Sequence, residues 1–335
     1  MLLGFLNIDA ELYVFYDPTE ADKLGGKYYF RPRLGNQLIN FYRAYAFAKS
    51  HDATLVLMPI YADVEEAISK RIKTISYRDF LRIKKFIKIK SINQYRDTDI
   101  PYVFELPIRY NSMGLKQIAS NLSLKNEIRD ILIESCPDFS FVDGEATLNV
   151  AVHIRTGDGF DYPRISQQFY SRKDIEEQII NPNSIKKGEY LDMIRPLKAP
   201  PLQYYLNAIS YFVQNHSEDT TFYVFTDHQD KESLLYSLKE RLDPSVDIRV
   251  YDNYCEDELI GDLNDILVMS CMDGIIRPER STFSIAASVL ADFSYEIYPI
   301  SCKWIGDCLL MNKIFVKDFR QTKTLSWRDI LNGRE

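Results

Sequence analysis

From about residue 148 onward, short apolar runs of strand length alternate with longer stretches whose apolar residues recur at three and four positions. Leu148–Arg155 reads as a buried strand, and Leu202–Asn215 reads as a helix with Leu202, Tyr205, Leu206, Ile209 and Val213 on one stripe. The alternation continues with a strand at Thr221–Thr226, a helix through Leu234, Leu235, Leu238 and Leu242, and a strand at Val246–Tyr251. A helix near Glu258–Cys271, a strand at Gly274–Arg277 and a helix through Phe283–Leu290, opened by Ser281 and Thr282, lead to a last strand at Glu296–Pro299. Strands that alternate with helices pair in parallel through right-handed crossovers, which predicts a Rossmann-like half.

The first half is less regular. Lys27–Phe30 reads as a strand, Arg31–Asn36 as a turn, Gln37–Ser50 as a helix and Thr54–Met58 as a second strand, so a second α/β unit is expected. Residues 1–16 precede a polar, turn-rich stretch and read as an extension or an edge hairpin. The expected domains are residues 1–147, with that N-terminal extension, and residues 148–335. An insertion at 159–201 carries tyrosines, prolines and charges without a sustained period. Its position after the Leu148–Arg155 strand suits a lid or an acceptor-binding segment.

At 335 residues, 46% hydrophobic and 27% charged, the chain is long enough for two cores of ordinary size. A net charge of −7 argues against a general nucleic-acid binder. No apolar run approaches membrane-spanning length and the start, Met1-Leu-Leu-Gly-Phe-Leu-Asn-Ile-Asp9, lacks the basic n-region of a signal peptide, so a cytoplasmic location is expected. Five cysteines without a C-x-x-C pair and four scattered histidines give neither a disulfide framework nor a metal cluster, so no metal is expected. One segment reverses the acidic balance: Lys70–Lys90 holds nine basic residues against Asp79 alone. It suits a solvated helix face or, less ordinarily, peripheral contact with an anionic membrane.

The chemistry-bearing stretch is His153-Ile-Arg155-Thr-Gly157-Asp158, where an apolar strand ends in a loop. Side chains two apart on a strand share a face, roughly 7 Å from one another. His153 and Arg155 therefore stand together where open α/β sheets bind ligands. The arginine's planar fork suits phosphate oxygens, and a neutral histidine suits a base or sugar. Alone, the motif fits equally well a structural pair between Arg155 and Asp158. Arg33-Leu-Gly35-Asn36-Gln37 could bring backbone close to a phosphate or sugar, or be a plain turn with Asn36 as helix cap. Asp227 ends an apolar strand and could accept from the N1–H and exocyclic amine of guanine; by itself it reads first as a helix cap. Ser281-Thr282-Phe283-Ser284 offers hydroxyls and unsatisfied amides to a diphosphate at a helix start.

Together and in order, these segments resemble the α-1,2-fucosyltransferase family and its α-1,6- and protein O-fucosyltransferase relatives. The resemblance runs through Arg33–Gln37 into Tyr45-Ala-Phe-Ala48, through His153–Asp158, Phe225-Thr-Asp227 and Asp262-Leu-Asn-Asp265, to Ser281–Ser284. It implies a GT-B fold, with two Rossmann-like domains facing a central cleft, and inverting transfer of L-fucose from GDP-fucose to a galactose-type glycan. It also implies α-1,2 linkage and no required cofactor or metal. By the same resemblance Arg155 grips the β-phosphate, His153 contacts the nucleoside and Asp227 reads guanine. Ser281, Thr282, Phe283 and Ser284 bind the diphosphate, and Arg33, Gly35 and Asn36 lie on the donor-sugar side. Asp158 orients Arg155. The partners implied are a GDP-sugar and an oligosaccharide or polysaccharide acceptor.

Four positions depart from the pattern: Thr156, His228, Arg280 and Ile285 stand where the α-1,2 enzymes usually carry an arginine, an aspartate, an asparagine and an aromatic residue. With the second arginine missing, Arg280 or Arg33 is the expected source of the lost charge. The general base has no assigned residue; Asp161, Glu189 and Asp192 lie in the insertion. Two rivals follow: a GDP-sugar or glycan binder without turnover, and a metal-dependent GT-A enzyme using Asp97-Thr-Asp99.

Overall fold

The computed structural model describes residues 11–16, 34–57, 62–89, 91–94, 100–106, 115, 118–136, 139, 148–155, 197–252, 258–305, 308–318 and 321–326. The chain divides into two compact units, Met1–Phe139 and Ser140–Glu335. Both are α/β with parallel-rich sheets, as expected for the fold class. The predicted strand at 27–30, Arg33, Asp158, the Asp97-Thr-Asp99 triplet and most of the insertion, residues 159–196, lie outside the described residues.

In the first unit, β1 (Leu12–Tyr16), β2 (Thr54–Leu57), β3 (Thr74–Ser76), β4 (Ile87–Ile89) and β5 (Tyr102–Leu106) form a sheet in the order β3-β2-β1-β5-β4. All of its pairings are parallel. The expectation of an extension or edge hairpin is corrected at Leu12–Tyr16, because β1 is the central strand; residues 1–10 lie outside the described residues. Its run Leu-Tyr-Val-Phe-Tyr is β-branched and aromatic and is buried at Leu12–Phe15. A central parallel strand is apolar on both faces and so lacks the alternation that marks a strand in sequence.

Helix α1 (Leu34–His51) packs Leu38, Phe41, Tyr42, Tyr45 and Ala48 into the core, an i, i+3, i+4, i+7 stripe. Its described part begins at Leu34, so Asn36 lies inside the helix and not at its cap, and the expected turn is helix at Leu34–Asn36; residues 31–33 lie outside the described residues. At the other end Ala53 N–H donates back to Ala48 O at 2.9 Å and Asp52 takes φ 48°, a left-handed helix stop. The Tyr45 hydroxyl donates at 2.7 Å to Glu127 on α4 (Leu122–Glu134), which also pairs with Lys49.

The basic segment is no helix face. Apart from α3 (Tyr77–Phe80), which follows α2 (Ala62–Ser69) and β3, it is strand and loop. Several of its charges are met by acids distant in sequence: Arg71 pairs with Glu134, and Lys73 with Asp52 at 3.1 Å.

In the second unit the sheet order is β12-β11-β10-β9-β6-β7-β8, built from β6 (Leu148–Ile154), β7 (Thr220–Thr226), β8 (Asp247–Val250), β9 (Gly274–Ile276), β10 (Tyr295–Ile305), β11 (Cys308–Asp318) and β12 (Gln321–Ser326). From β8 through β10 every pairing is parallel, which is the predicted Rossmann-like half. The series does not close at 296–299. β10 runs eleven residues and pairs antiparallel with β11, which pairs antiparallel with β12. The crossover helices are α5 (Leu202–Asn215), α6 (Lys231–Lys239), α7 (Glu258–Cys271) and α8 (Thr282–Leu290). Val150, Val152 and Ile154 of β6 pack with α5 residues Tyr205, Ile209 and Phe212 in the main core.

β9 lies against β10 so closely that a Cβ on Gly274 would stand 2.8 Å from Tyr295 Cβ and 3.1 Å from its carbonyl oxygen. Backbone on both sides cannot yield. Gly274→Ala is expected to destabilise the second unit by about 1–3 kcal/mol, read as a lower urea midpoint at unchanged slope.

Candidate functional site

The sheet of the second unit changes direction at β6. The chain runs outward from it through β7 to β8, then returns to place β9 on its other side. The carboxyl ends of β6 and β9 therefore flank the topological switch point, where open α/β sheets hold ligands. His153 is the penultimate residue of β6, Arg155 follows the strand, and Arg277 follows β9.

Alternation along β6 sends Val152 and Ile154 toward α5 and turns His153 toward α8, where its ring centroid stands 5.6 Å from that of Phe283. His153 is 5% exposed, and its Nδ1 is buried with no hydrogen-bond partner among the described residues. Burial lowers its pKa to about 4; the Asp227 carboxylate opposes this shift and Arg277 adds to it. The imidazole is therefore neutral at physiological pH, with one buried nitrogen lacking a partner among the described residues. An unmet buried polar atom costs about 1–3 kcal/mol, which a ligand donor or acceptor would relieve.

The depressed pKa sets a pH window. The unfolded chain protonates His153 near its usual 6.5 while the folded one resists, so this contribution to stability is complete above pH 6.5 and is lost as pH falls toward 4. The urea midpoint of His153→Gln should therefore decline less than that of the wild type between pH 6.5 and 4. Parallel declines would show that His153 is not the group responsible.

Asp227 follows β7 and is exposed. It is not the cap of the next helix, as it reads first in sequence. Asp230 takes that position and accepts from Ser233 N–H at 2.9 Å, while Thr226 Oγ1 accepts from His228 N–H at 3.1 Å. Capping of that helix thus falls to Asp230 and not to Asp227. Phe225, in register with His153, stacks on Tyr251 at 4.8 Å, and the Tyr251 hydroxyl accepts from Asn264 Nδ2 at 3.0 Å. Asn264, inside the Asp262–Asp265 motif, is 4% exposed and buttresses that wall.

Ser281 occupies the cap position of α8 at 1% exposure, but its side chain makes no capping bond. The first intrahelical bond is Ile285 N–H to Ser281 O at 3.0 Å, so the amides of Thr282, Phe283 and Ser284 precede the helical ladder. These amides and the positive end of the helix dipole are the physical basis of an anion site. Ser284 is fully buried and its hydroxyl turns back to Ser281 O at 3.3 Å, so it braces the cap.

The structure thus brings His153, Arg155, Asp227 and Ser281–Ser284 to the carboxyl side of one sheet. Gly35 and Asn36 lie in the first unit, in α1, and Asn36 Oδ1 is buried without a hydrogen-bond partner among the described residues. Arg280, one expected source of the missing charge, is 46% exposed and pairs with Glu279 at 3.3 Å. Arg277 was not expected at the site, although an arginine ending a strand beside β6 repeats the signal that marks Arg155.

No family model matches the chain, and no curated protein matches it. Solved structures do. POFUT1 in complex with GDP is 15% identical with a TM-score of 0.46, over 85% of this chain and 96% of that one. An Arabidopsis thaliana FUT1 mutant in complex with GDP is 10% identical with a TM-score of 0.45, over 88% and 72%. NodZ alpha-1,6-fucosyltransferase soaked with GDP-fucose is 10% identical with a TM-score of 0.37, over 95% and 99%. These likenesses are distant, and what the site can do follows from its own residues.

Proposed function

We propose that the protein is a glycosyltransferase that takes L-fucose from GDP-fucose and transfers it, with inversion, to a hydroxyl of a galactose-type glycan, forming an α-1,2 linkage. The observation that carries this reading is the Nδ1 of His153, buried without a partner among the described residues, on the strand that leads into Arg155 and with its ring against Phe283 in the first turn of α8 at the switch point. The order of motifs from Arg33 to Ser284 supplies the donor, and Asp227, at the carboxyl end of β7 with Asp230 holding the cap position beyond it, is the carboxylate that accepts from guanine.

The costly event is departure of GDP from the anomeric carbon as positive charge develops on the sugar. Hydrogen bonds from Arg155 and from the α8 amides to the diphosphate strengthen as negative charge accumulates there. They therefore stabilise the transition state more than the bound donor. Arg155 fills the place that a metal ion takes in metal-dependent transferases, so transfer is expected to proceed in excess chelator. His153, held neutral, contacts the nucleoside without adding charge, and Asp158 orients Arg155.

The test incubates the protein with GDP-fucose and mixed galactosides in EDTA and determines the product linkage. A β-configured donor yielding an α-fucoside is the expected outcome. GDP binding without transfer or hydrolysis would replace this reading with that of a non-catalytic binder. Activity only with added divalent metal would favour the metal-dependent class.

A further inference from the structure

We infer that Arg277 is the positioning residue that fixes the turn from which the α8 amides meet the ligand's phosphates. The inference rests on the reading above for the ligand, but not for the turn. Arg277 is 8% exposed and its guanidinium is committed on every side. Nε and Nη2 both reach Glu296 Oε1 at 2.9 Å, and Nη1 donates to Pro278 O at 2.9 Å and to Glu279 O at 3.2 Å. The face of the group lies 4.3 Å from the Tyr298 ring centroid. One side chain thus joins β10 to both carbonyls of the loop that leads into Ser281.

The backbone of the same loop is held from two further elements. Arg277 N–H donates to Ile297 O at 3.0 Å, and the Tyr204 hydroxyl, from α5, lies 3.2 Å from Arg277 O and 3.1 Å from Ile297 O. Arg280 N–H donates to Leu197 O at 3.2 Å. Such a dense anchoring of a four-residue turn has a physical purpose, because amides stabilise a developing charge only if their orientation is fixed beforehand. The positive charge of Arg277 is balanced by Glu296, so it does not take the place of the missing phosphate-binding arginine; it orients the groups that bind. A planar fork spreads its donors over three nitrogens and can hold a carboxylate and two carbonyls at separate positions, whereas an ammonium presents its three donors from a single atom.

The test compares wild type, Arg277→Lys and, should that variant fail to fold, Glu296→Gln. In the ligand-free protein, hydrogen exchange of the amides at 279–284 should quicken about tenfold in Arg277→Lys, with protection elsewhere in the sheet unchanged. Glu296→Gln should shift the same amides in the same direction by less. Affinity for GDP should fall about tenfold while affinity for guanosine changes by less than twofold. The inference is overturned if the 279–284 amides exchange as in the wild type, or if GDP and guanosine weaken by the same factor. A wild-type protein that binds no GDP would sink the donor reading instead, and the exchange measurement alone would then decide whether Arg277 orders the turn.

Discussion

Arg155→Ala should lower kcat/KM for transfer from GDP-fucose about a hundredfold, equivalent to roughly 3 kcal/mol of transition-state stabilisation, while leaving the unfolding midpoint near that of the wild type. Arg155 lies just past β6, half-buried, outside the hydrophobic core. Its truncation therefore removes a charged donor without opening a cavity. The loss should fall on KM as well as on kcat, because the guanidinium already holds the diphosphate of the bound donor and the interaction strengthens as the diphosphate departs. Arg155→Lys should recover little, since an ammonium cannot supply two parallel donors to phosphate oxygens. Steady-state kinetics of the three proteins, with thermal unfolding of each, checks the expectation.

The second large effect concerns stability. Phe212 is 2% exposed, and its ring meets Phe222 at 5.5 Å, Tyr295 at 5.1 Å and His216 at 4.4 Å. It joins α5 to β7 and β10, the strands on either side of the β6-β9 pair. Phe212→Ala should cost about 3–5 kcal/mol, from lost apolar burial and the cavity left among aromatic neighbours that cannot collapse inward. Both tryptophans of the chain, Trp304 and Trp327, fall within the sequence range of the second unit, so tryptophan fluorescence is the probe chosen for it. A urea titration read this way should show a large fall in midpoint with the slope preserved.

The second unit was largely legible in the sequence because its helices are amphipathic and its strands are short apolar runs ending in polar residues. Leu202–Asn215 and Glu258–Cys271 have the bounds that their periodicity predicts. The β10–β12 ribbon was missed beyond Pro299 because Ser301, Cys302 and Lys303 interrupt the apolar run, and the pairing partner comes from the following strand. In the first unit β1 is hidden for the opposite reason: a strand buried on both faces carries no alternation to identify it. The Lys70–Lys90 segment was read from charge density alone, and the acids that answer it, Glu134 and Asp52, are distant in sequence.

At the site, residue types were legible and their roles less so. His153 and Arg155 could be placed together from strand geometry, and their switch-point position follows from the order of the strands. That the helix cap is not Asp227 depends on Asp230, three residues away, taking that position. The role of Arg277 depends on Glu296 and Tyr298, nineteen and twenty-one positions on, which only the β9-β10 pairing brings near.

The central claim is that the carboxyl edge of the second unit's sheet binds a guanine nucleoside diphosphate through Arg155. Calorimetric titration of GDP and UDP into the wild type and Arg155→Ala, in chelator, tests it most directly. The account predicts saturable binding of GDP, a loss of about a hundredfold in affinity on removing the guanidinium, and no measurable heat with UDP. Absence of GDP binding, or equal affinity for the two nucleotides, would contradict it.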